Sequence, residues 1–364
     1  MSGPKTTVWP LEPHTRAKHL ILQRYLQAWL PIISSNRSRV VFIDGFAGPG
    51  VYEDGEAGSP VIAMRALIDH AHQAAINSAV HFVFIEADGR RAARLQEVVS
   101  DLVPALPKGA TANVLQGAYA DLLAHALDEI EANGKQLAPS LVFIDPFGVS
   151  GLPMALVRRI LATPSCEVLI NVMTGFIHRF VGSSEFEPHL DAIYGTDAWR
   201  AARALTGPAR LEHLRRLYLE ELTRPGVTGA ARYVRLFSML NGANQPIYDL
   251  VFATNHPRGI DRMKDAMWKV DAAGGERFSD ATDPGQSTLL DAGASHDAGL
   301  IGMLRSTLAG RSLTWDEVEE HIRHTPFRAL RRPLLRAAKE PASGIRIESR
   351  TRGITPDALI HFSE

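Results

Sequence analysis

A glycine-rich segment, Asp44-Gly45-Phe46-Ala47-Gly48-Pro49-Gly50, is the part of this sequence whose residue types and spacing most clearly suggest chemistry. It directly follows an apolar run, Val40–Ile43, of the kind expected for a strand buried on both faces. Glycine has no Cβ, so the backbone can pass close beneath a ligand and adopt positive φ. Open α/β sheets bind ligands at the carboxyl ends of their strands, above a helix N-terminus. The segment therefore predicts a ligand-binding loop, with a glycine-rich turn that holds no ligand as the alternative.

Two carboxylates end strands near this loop. Asp44 closes the first predicted strand, and Glu86 closes the second at Phe84-Ile85-Glu86. A carboxylate in the second position can accept both ribose hydroxyls of an adenosine and so orient the nucleoside; the alternative is a solvated acid. The acid followed by Phe-Ala-Gly-x-Gly is more specific than glycine alone, because NAD-binding loops rarely carry that acid. A Gly-x-x-x-x-Gly-Lys-Ser/Thr motif, which would indicate a P-loop, is absent.

A third acidic residue, Asp121, follows the third predicted strand in Gly117-Ala118-Tyr119-Ala120-Asp121. It could bond the exocyclic amine of an adenine or cap the helix that follows, and the sequence favours neither. These motifs together predict a site for S-adenosylmethionine. Its residues are Asp44, Gly45, Phe46, Gly48, Gly50, Glu86 and Asp121.

The fourth predicted strand ends in Phe143-Ile144-Asp145-Pro146-Phe147-Gly148. Base-modifying methyltransferases carry an acid or amide, a proline and an aromatic residue at this position. The Asp145 carboxylate and the Pro146 carbonyl could accept both N–H bonds of an exocyclic amine, which leaves the nitrogen lone pair facing a methyl donor. Phe147 would stack on the extruded base. In the alternative, Asp145 caps the next helix and Phe147 packs inward.

A basic residue at the start of the first helix could complete this site. Lys18, in His14-Thr15-x-x-Lys18-His19, could meet a carboxylate or phosphate at the cofactor mouth, or it could be a solvated first-turn side chain. Asn255-His256-Pro257 follows the last strand and could border the cleft from the same edge, although a plain turn is the simpler interpretation. No His-Glu-x-x-His or His-x-His pair occurs, so the sequence predicts no metal site.

Alternating strands and helices must position these residues, which implies an α/β fold with a parallel sheet and right-handed crossovers. A helical insertion, 176–228, is expected over the edge of the sheet. The hairpin Arg232–Leu240 with Ile247–Thr254 and the helix Arg258–Val270 would complete a Rossmann-like class I methyltransferase sheet. The earlier helices are predicted at 15–33, 60–72, 89–102, 121–132 and 153–162, and the earlier strands at 40–43, 81–86, 111–115, 140–145 and 167–172.

The end of the chain is predicted to form a separate unit. The division expected is a Rossmann-like domain at 1–272, a linker at 273–297 and a small winged-helix-like domain at 298–364. The third helix of that domain, 326–339, follows helices at 298–309 and 313–322 and precedes strands at 345–349 and 358–362. We predict nucleic-acid contacts for Arg328, Arg331, Arg332 and Arg336 on this helix; a solvated or protein-docking face is equally compatible.

Composition narrows the class of protein. The 364 residues carry a formal net charge of −1, with 45% hydrophobic and 22% charged residues, which is ordinary for a globular protein. No global charge therefore attracts the chain to nucleic acid or membrane. The single cysteine, Cys166, excludes an intrachain disulfide and suits a reducing compartment. No signal-like or membrane-spanning apolar run occurs, so we expect a cytoplasmic location without a membrane partner.

Several of these motifs together resemble the three-Cys-motif partner proteins of bacteria. This family looks like a branch of the class I methyltransferases and takes its name from a neighbouring protein similar to radical S-adenosylmethionine enzymes. The resemblance, over residues 12–272, implies a three-Cys-motif protein as a partner. The matching segments are Lys18-His19…Tyr25-Leu26, Phe42–Tyr52, Gly58-Ser59-Pro60, Phe143–Gly148 and Met263–Trp268.

Two wider similarities concern the substrate. Lys18-His19 with Asp44–Tyr52 is similar to ribosomal-RNA adenine-N6 methyltransferases, although their Asp-Pro-Pro-Tyr is absent, and Asp145–Gly148 is similar to tRNA guanine-N2 methyltransferases. Both resemblances imply a methyl acceptor on an exocyclic base nitrogen. We therefore expect an S-adenosylmethionine-dependent methyltransferase acting on a nucleic acid substrate. The alternatives are a partner module that binds the cofactor or is non-catalytic and, more distantly, a nicotinamide-dependent oxidoreductase.

Overall fold

One eight-stranded sheet organises the chain in the computed structural model, which describes residues 6–282, 292–351 and 353–363. Its strands are β1 Arg39–Asp44, β2 Ala79–Glu86, β3 Thr111–Gln116, β4 Ser140–Ile144, β5 Cys166–Val172, β6 Tyr233–Leu240, β7 Pro246–Thr254 and β8 Arg277–Ser279. Their order is β3-β2-β1-β4-β5-β7-β6-β8, and β1 to β5 are parallel, as predicted. The direction of winding reverses between β1 and β4, where open α/β sheets form their crevice.

Helices cover both faces of this sheet. They are α1 Pro13–Ser34, α2 Ser59–Ile68, α3 Gly89–Leu102, α4 Tyr119–Ala132, α5 Met154–Leu161, α6 Thr174–Phe180, α7 Glu187–Tyr194, α8 Gly207–Leu222 and α9 Pro257–Val270. Two separate apolar clusters result, one beneath α1, α2, α3 and α9 and the other beneath α4 to α8. The central strands β4 and β5 are buried along their whole length, which explains why most of their residues are apolar.

The predicted hairpin is confirmed. β6 and β7 pair antiparallel, and β7 also pairs antiparallel with β5, so it is the one strand of the eight that runs against the others. The molecule therefore has an α/β fold with a mostly parallel sheet, consistent with a Rossmann-like methyltransferase sheet.

The helical insertion covers a face of the sheet and not its edge, which corrects the prediction. Its longest helix, α8, places Leu214 and Leu222 in the same apolar cluster as Val251 of β7. Arg215 of α8 also donates two hydrogen bonds of 2.7 Å to the carboxylate of Asp249, which is fully buried on β7. The planar guanidinium fixes the helix to the sheet through this bidentate pair.

The predicted linker and C-terminal unit differ from the structure in detail. β8 lies within the predicted linker, 273–297, and pairs parallel with the end of β6. The last unit contains α10 Ala292–Leu308, β9 Ser312–Thr314, α11 Trp315–Arg323, α12 Arg331–Ala337, β10 Ile345–Glu348 and β11 Leu359–Phe362. Its three strands form an antiparallel sheet in the order β10-β11-β9, with an apolar cluster of its own. The third helix is shorter than predicted, so Arg328 precedes it.

A buried lysine joins the C-terminal unit to the main sheet. Lys264 of α9 is 1% exposed and donates to main-chain carbonyls at and just beyond the end of α11, including Ile322 at 3.0 Å and Phe327 at 2.6 Å. Burial lowers the pKa of Lys264 to about 7. Beside it, the indole N–H of Trp268 donates to the carbonyl of Pro326 at 2.9 Å. The segment Met263–Trp268, which contributed to the family resemblance, therefore holds the last unit in place.

Lys264→Met should loosen this junction, because buried carbonyls would lose their donor. We expect the free energy of unfolding in urea to fall by about 2 kcal/mol or more. The matched control is Lys269→Met, an exposed lysine on the same helix, which should change it by less than about 0.5 kcal/mol. Equal effects of the two substitutions would contradict the role given to Lys264.

Candidate active site

Three acidic residues meet at the carboxyl edge of the sheet. Asp44 ends β1, Glu86 ends β2 and Asp145 directly follows β4, and these strands are neighbours in the order β2-β1-β4. This is the point at which the winding of the sheet reverses, where α/β folds place their ligands. The sequence-predicted cofactor and acceptor residues are therefore brought to one edge by the topology itself.

The glycines of the loop are required for different structural reasons. A Cβ on Gly45 would come within 2.3 Å of the Tyr119 ring, so this glycine is required by packing. Gly48 and Gly50 have φ of 62° and 82°, in the region that favours glycine. A Cβ on Gly50 would also lie 2.9 Å from Leu95. Phe46 packs against Tyr119 with a ring separation of 5.4 Å and so supports the loop from one side.

Glu86 fixes the loop through its carboxylate. One oxygen accepts the backbone N–H of Gly48 at 2.9 Å, and the other accepts that of Asp88 at 2.8 Å. Glu86 is 7% exposed. Because a carboxylate has about four lone-pair positions, each oxygen can still accept a further hydrogen bond from a ligand hydroxyl.

Asp44 is fully buried beneath the same loop and accepts the backbone N–H of Phe46 at 3.1 Å. Burial raises the pKa of Asp44 to about 7; the Ser59 hydroxyl and the Phe46 N–H oppose that rise, and the charge of Asp145 adds to it. A carboxyl group with a pKa so far above its ordinary value suggests a functional position.

Buried Lys18 and partly buried Asp145 form an ion pair. The Lys18 ammonium donates to one carboxylate oxygen of Asp145, and the Asn171 amide donates to the other at 2.6 Å. Lys18 is 4% exposed, so the alternative of a solvated first-turn side chain is wrong. Asp145 does not cap a helix, since the next helix begins only at Met154. Phe147 is 41% exposed and does not pack inward, so this alternative is wrong as well.

Asn171 is the site residue that the sequence analysis missed. It lies 3% exposed in β5, and its side-chain oxygen has no hydrogen-bond partner among the residues that the structure describes. Since a carboxylate only accepts, the amide must turn its NH₂ group to Asp145 and its oxygen elsewhere. A polar residue inside the apolar run of a buried strand was the available signal.

Other aromatic and titratable groups surround the pair. His19 is buried, and burial together with the Lys18 charge lowers its pKa to about 3, which keeps the imidazole neutral. Its ring lies 5.6 Å from that of Tyr52. The Lys18 ammonium lies 5.2 Å from the centre of the Tyr248 ring on β7. Lys18 is thus the cation that pairs with Asp145.

Asp121 and Pro146 complete the predicted set. Asp121 is exposed in the first turn of α4, and the residue at the N-cap of that helix, Ala118, makes no side-chain capping bond. The alternative in which Asp121 caps this helix is therefore wrong. Pro146 is buried between Asp145 and the exposed Phe147.

The predicted nucleic-acid residues lie in the C-terminal unit, apart from this edge. Arg331, Arg332 and Arg336 are exposed on α12, and Arg336 pairs with Asp297 at 3.1 Å. Arg328 is half-buried, with its guanidinium 5.5 Å from the Trp268 ring. In the described ranges, none of these four contacts Lys18 or Asp145.

Asn255-His256-Pro257 lies at the opposite edge, which corrects the expectation that it borders the cleft. β7 runs antiparallel to β5, so its end lies where the parallel strands begin. A cavity of about 290 Å³ opens there, lined by residues that include Tyr25, Glu167 and His256. Glu167 accepts the hydroxyls of Tyr25 at 2.6 Å and Thr254 at 2.7 Å.

Comparisons with known proteins add little to this geometry. No protein-family model matches the chain, and no curated protein gives a significant match. An O-methyltransferase from Bacillus cereus in complex with SAH is similar at 13% identity, over 64% of this chain and 80% of that one, with a TM-score of 0.33. Precorrin-6y C5,15-methyltransferase from Geobacter metallireducens is similar at 11% identity, over 63% and 87%, with a TM-score of 0.27. Scores this low carry no argument, so the assignment of the fold rests on the sheet topology.

Two further features of the described residues bear on the class of protein. No helix among them is long and apolar enough to cross a bilayer. No group of three or more metal-ligating side chains occurs in the same ranges.

Asp44→Asn should stabilise the fold at alkaline pH. The folded pKa of about 7 exceeds the unfolded value of about 3.9, so stability present at low pH is lost as pH rises through 7. The variant cannot ionise, and its advantage over wild type should grow by about 2 kcal/mol or more between pH 5 and pH 8. Urea unfolding at both pH values measures it, with the exposed Asp69→Asn as control. An advantage independent of pH would show that Asp44 does not titrate near 7.

Proposed function

We propose that this protein is an S-adenosylmethionine-dependent methyltransferase whose acceptor is an exocyclic amine of a nucleic acid base. The observation that carries the proposal is the Lys18–Asp145–Asn171 set beside the glycine loop at the reversal point of the sheet. This arrangement places a held carboxylate next to the loop expected to bind the cofactor.

The residues present fit a cationic nucleoside. Asp44, Glu86 and Asp145 contribute three carboxyl groups to this edge, and these groups would complement a positively charged ligand. Glu86 retains lone pairs for ribose hydroxyls, and the orphaned oxygen of Asn171 can accept a ligand N–H. S-adenosylmethionine, when bound, supplies an electrophilic methyl group on a sulfonium.

The residues proposed to bind the methyl acceptor act by positioning it. The Asp145 carboxylate and the Pro146 carbonyl would accept the N–H bonds of the amine, which orients its lone pair. Lys18 and Asn171 hold that carboxylate in one position, and the exposed ring of Phe147 offers a stacking surface for a base. An in-line displacement needs alignment and charge placement more than a strong base.

The C-terminal unit would extend the nucleic acid contact. Its three helices and three-stranded antiparallel sheet support the proposal of a winged-helix-like domain. Exposed arginines on α12 would neutralise phosphates. A three-Cys-motif partner protein is proposed from the sequence resemblance alone.

Asp145→Ala should abolish methyl transfer. With labelled S-adenosylmethionine and total RNA or DNA, we expect a loss of ~100-fold or more, because the amine loses its charged acceptor. Asp69→Ala, an exposed acid at the far end of α2, is the control and should transfer as wild type does. Full transfer by Asp145→Ala would refute the acceptor assignment. Cofactor binding by wild type without transfer to either nucleic acid would favour the partner module.

Replacing Arg331, Arg332 and Arg336 together by Ala should weaken RNA binding. The slope of log affinity against log salt should fall by up to about 3, one for each phosphate that is no longer neutralised. Arg328 is left in place because it packs on Trp268 at the junction. The control replaces three exposed arginines of the main unit, Arg24, Arg65 and Arg216. An unchanged slope in the α12 variant would remove the nucleic acid role of this helix.

A further inference from the structure

The indole of Trp9 contacts both halves of the site. Its ring meets the Phe147 ring edge-on at a centroid distance of 5.2 Å and the Tyr52 ring at 6.0 Å. The Arg91 guanidinium, in the first turn of α3, lies 5.1 Å from its centre. A Cβ on Gly48 would come within 3.6 Å of the indole. Trp9 therefore extends from the cofactor loop to the exposed aromatic residue of the acceptor half.

One main-chain hydrogen bond and one ion pair hold the segment that carries this indole. The carbonyl of Trp9 accepts the N–H of Glu53 at 3.0 Å, in the turn that follows the glycine loop. Arg16, at the start of α1, pairs with Glu56 of the same turn at 2.8 Å. The segment before α1 and this turn thus form one wall at the mouth of the site, and Trp9 is its aromatic part.

We propose that Trp9 is a nucleoside-binding residue that stacks on the adenosine held by Glu86; the proposal rests on the proposed function. Gly48 is the link, because its N–H binds the Glu86 carboxylate while its α-carbon faces the indole. A nucleoside whose hydroxyls reach Glu86 therefore lies against this ring. An indole offers a large π surface to an adenine and also attracts a nearby cation.

The test measures binding of S-adenosylhomocysteine and of adenosine by calorimetry. Trp9→Ala should weaken both by the same factor, about tenfold or more, because both carry the stacked base. Trp9→Phe keeps a ring and should stay within about threefold of wild type. Ligand binding should also change the tryptophan fluorescence of wild type and leave that of Trp9→Phe nearly constant. Trp29→Phe, at the opposite edge of the sheet, is the control for both readouts.

Three other outcomes, measured where wild type binds both ligands, overturn the proposal. Unchanged or tighter binding by Trp9→Ala would mean that the indole is a bystander or blocks the site. A loss confined to S-adenosylhomocysteine would place Trp9 on the amino-acid part of the ligand, and equal losses in the Phe and Ala variants would exclude stacking. If wild type binds neither ligand, the proposed function itself fails, which is a separate result.

Discussion

The ion pair between buried Lys18 and partly buried Asp145 is the interaction on which the site depends. Removing two charges from water is costly unless additional hydrogen bonds satisfy them, and Asn171 supplies one to the carboxylate. The pair and its hydrogen bond from Asn171 can form only if α1, β4 and β5 meet at the same edge. The apolar stripe of α1 ensures this, since Ile21, Leu22 and Tyr25 are fully buried against the sheet just after Lys18.

The groups around this ion pair are suited to binding a ligand more than to stabilising the fold. Asp44 has no salt-bridge partner in the described structure, and its carboxyl group is more easily ionised when a cation is near. His19 stays neutral because it is buried beside Lys18. Ionisable side chains such as Asp44 and His19 are thus held away from water at one edge of the sheet. This arrangement is typical of functional sites. On α9, Lys264 shows the structural use of a buried cation, since it donates to main-chain carbonyls.

Much of this arrangement can be predicted from the sequence, because strand ends in a parallel sheet meet at one edge. Asp44, Glu86 and Asp145 can be recognised because each comes at the end of an apolar run. The hairpin can be recognised from the turn residues between its two strands. Asn171 escapes prediction because a single polar residue inside an apolar strand does not show which group it bonds. Trp9 precedes the first helix, and no periodicity places such a residue. The face covered by α8 depends on the long-range pair Arg215–Asp249, which local pattern cannot show.

Asn255-His256-Pro257 shows how strand direction limits such prediction. The turn residues predict the hairpin correctly, yet an antiparallel strand ends at the opposite edge of the sheet and carries these residues with it. Similarly, Arg328 precedes a helix that begins only at Arg331. The carbonyls of Pro326 and Phe327, just before it, accept hydrogen bonds from Trp268 and Lys264 instead of joining a helix. Tertiary contacts thus make the arginine-rich helix α12 shorter than the sequence predicts.

A crystal structure with S-adenosylhomocysteine tests the central claim most directly. We expect the ribose hydroxyls on the Glu86 carboxylate, with the sulfur directed to the Lys18–Asp145 pair. Adenosine bound instead in the cavity beside Tyr25 and Glu167, or a glycine loop whose path excludes the nucleoside, would contradict that claim.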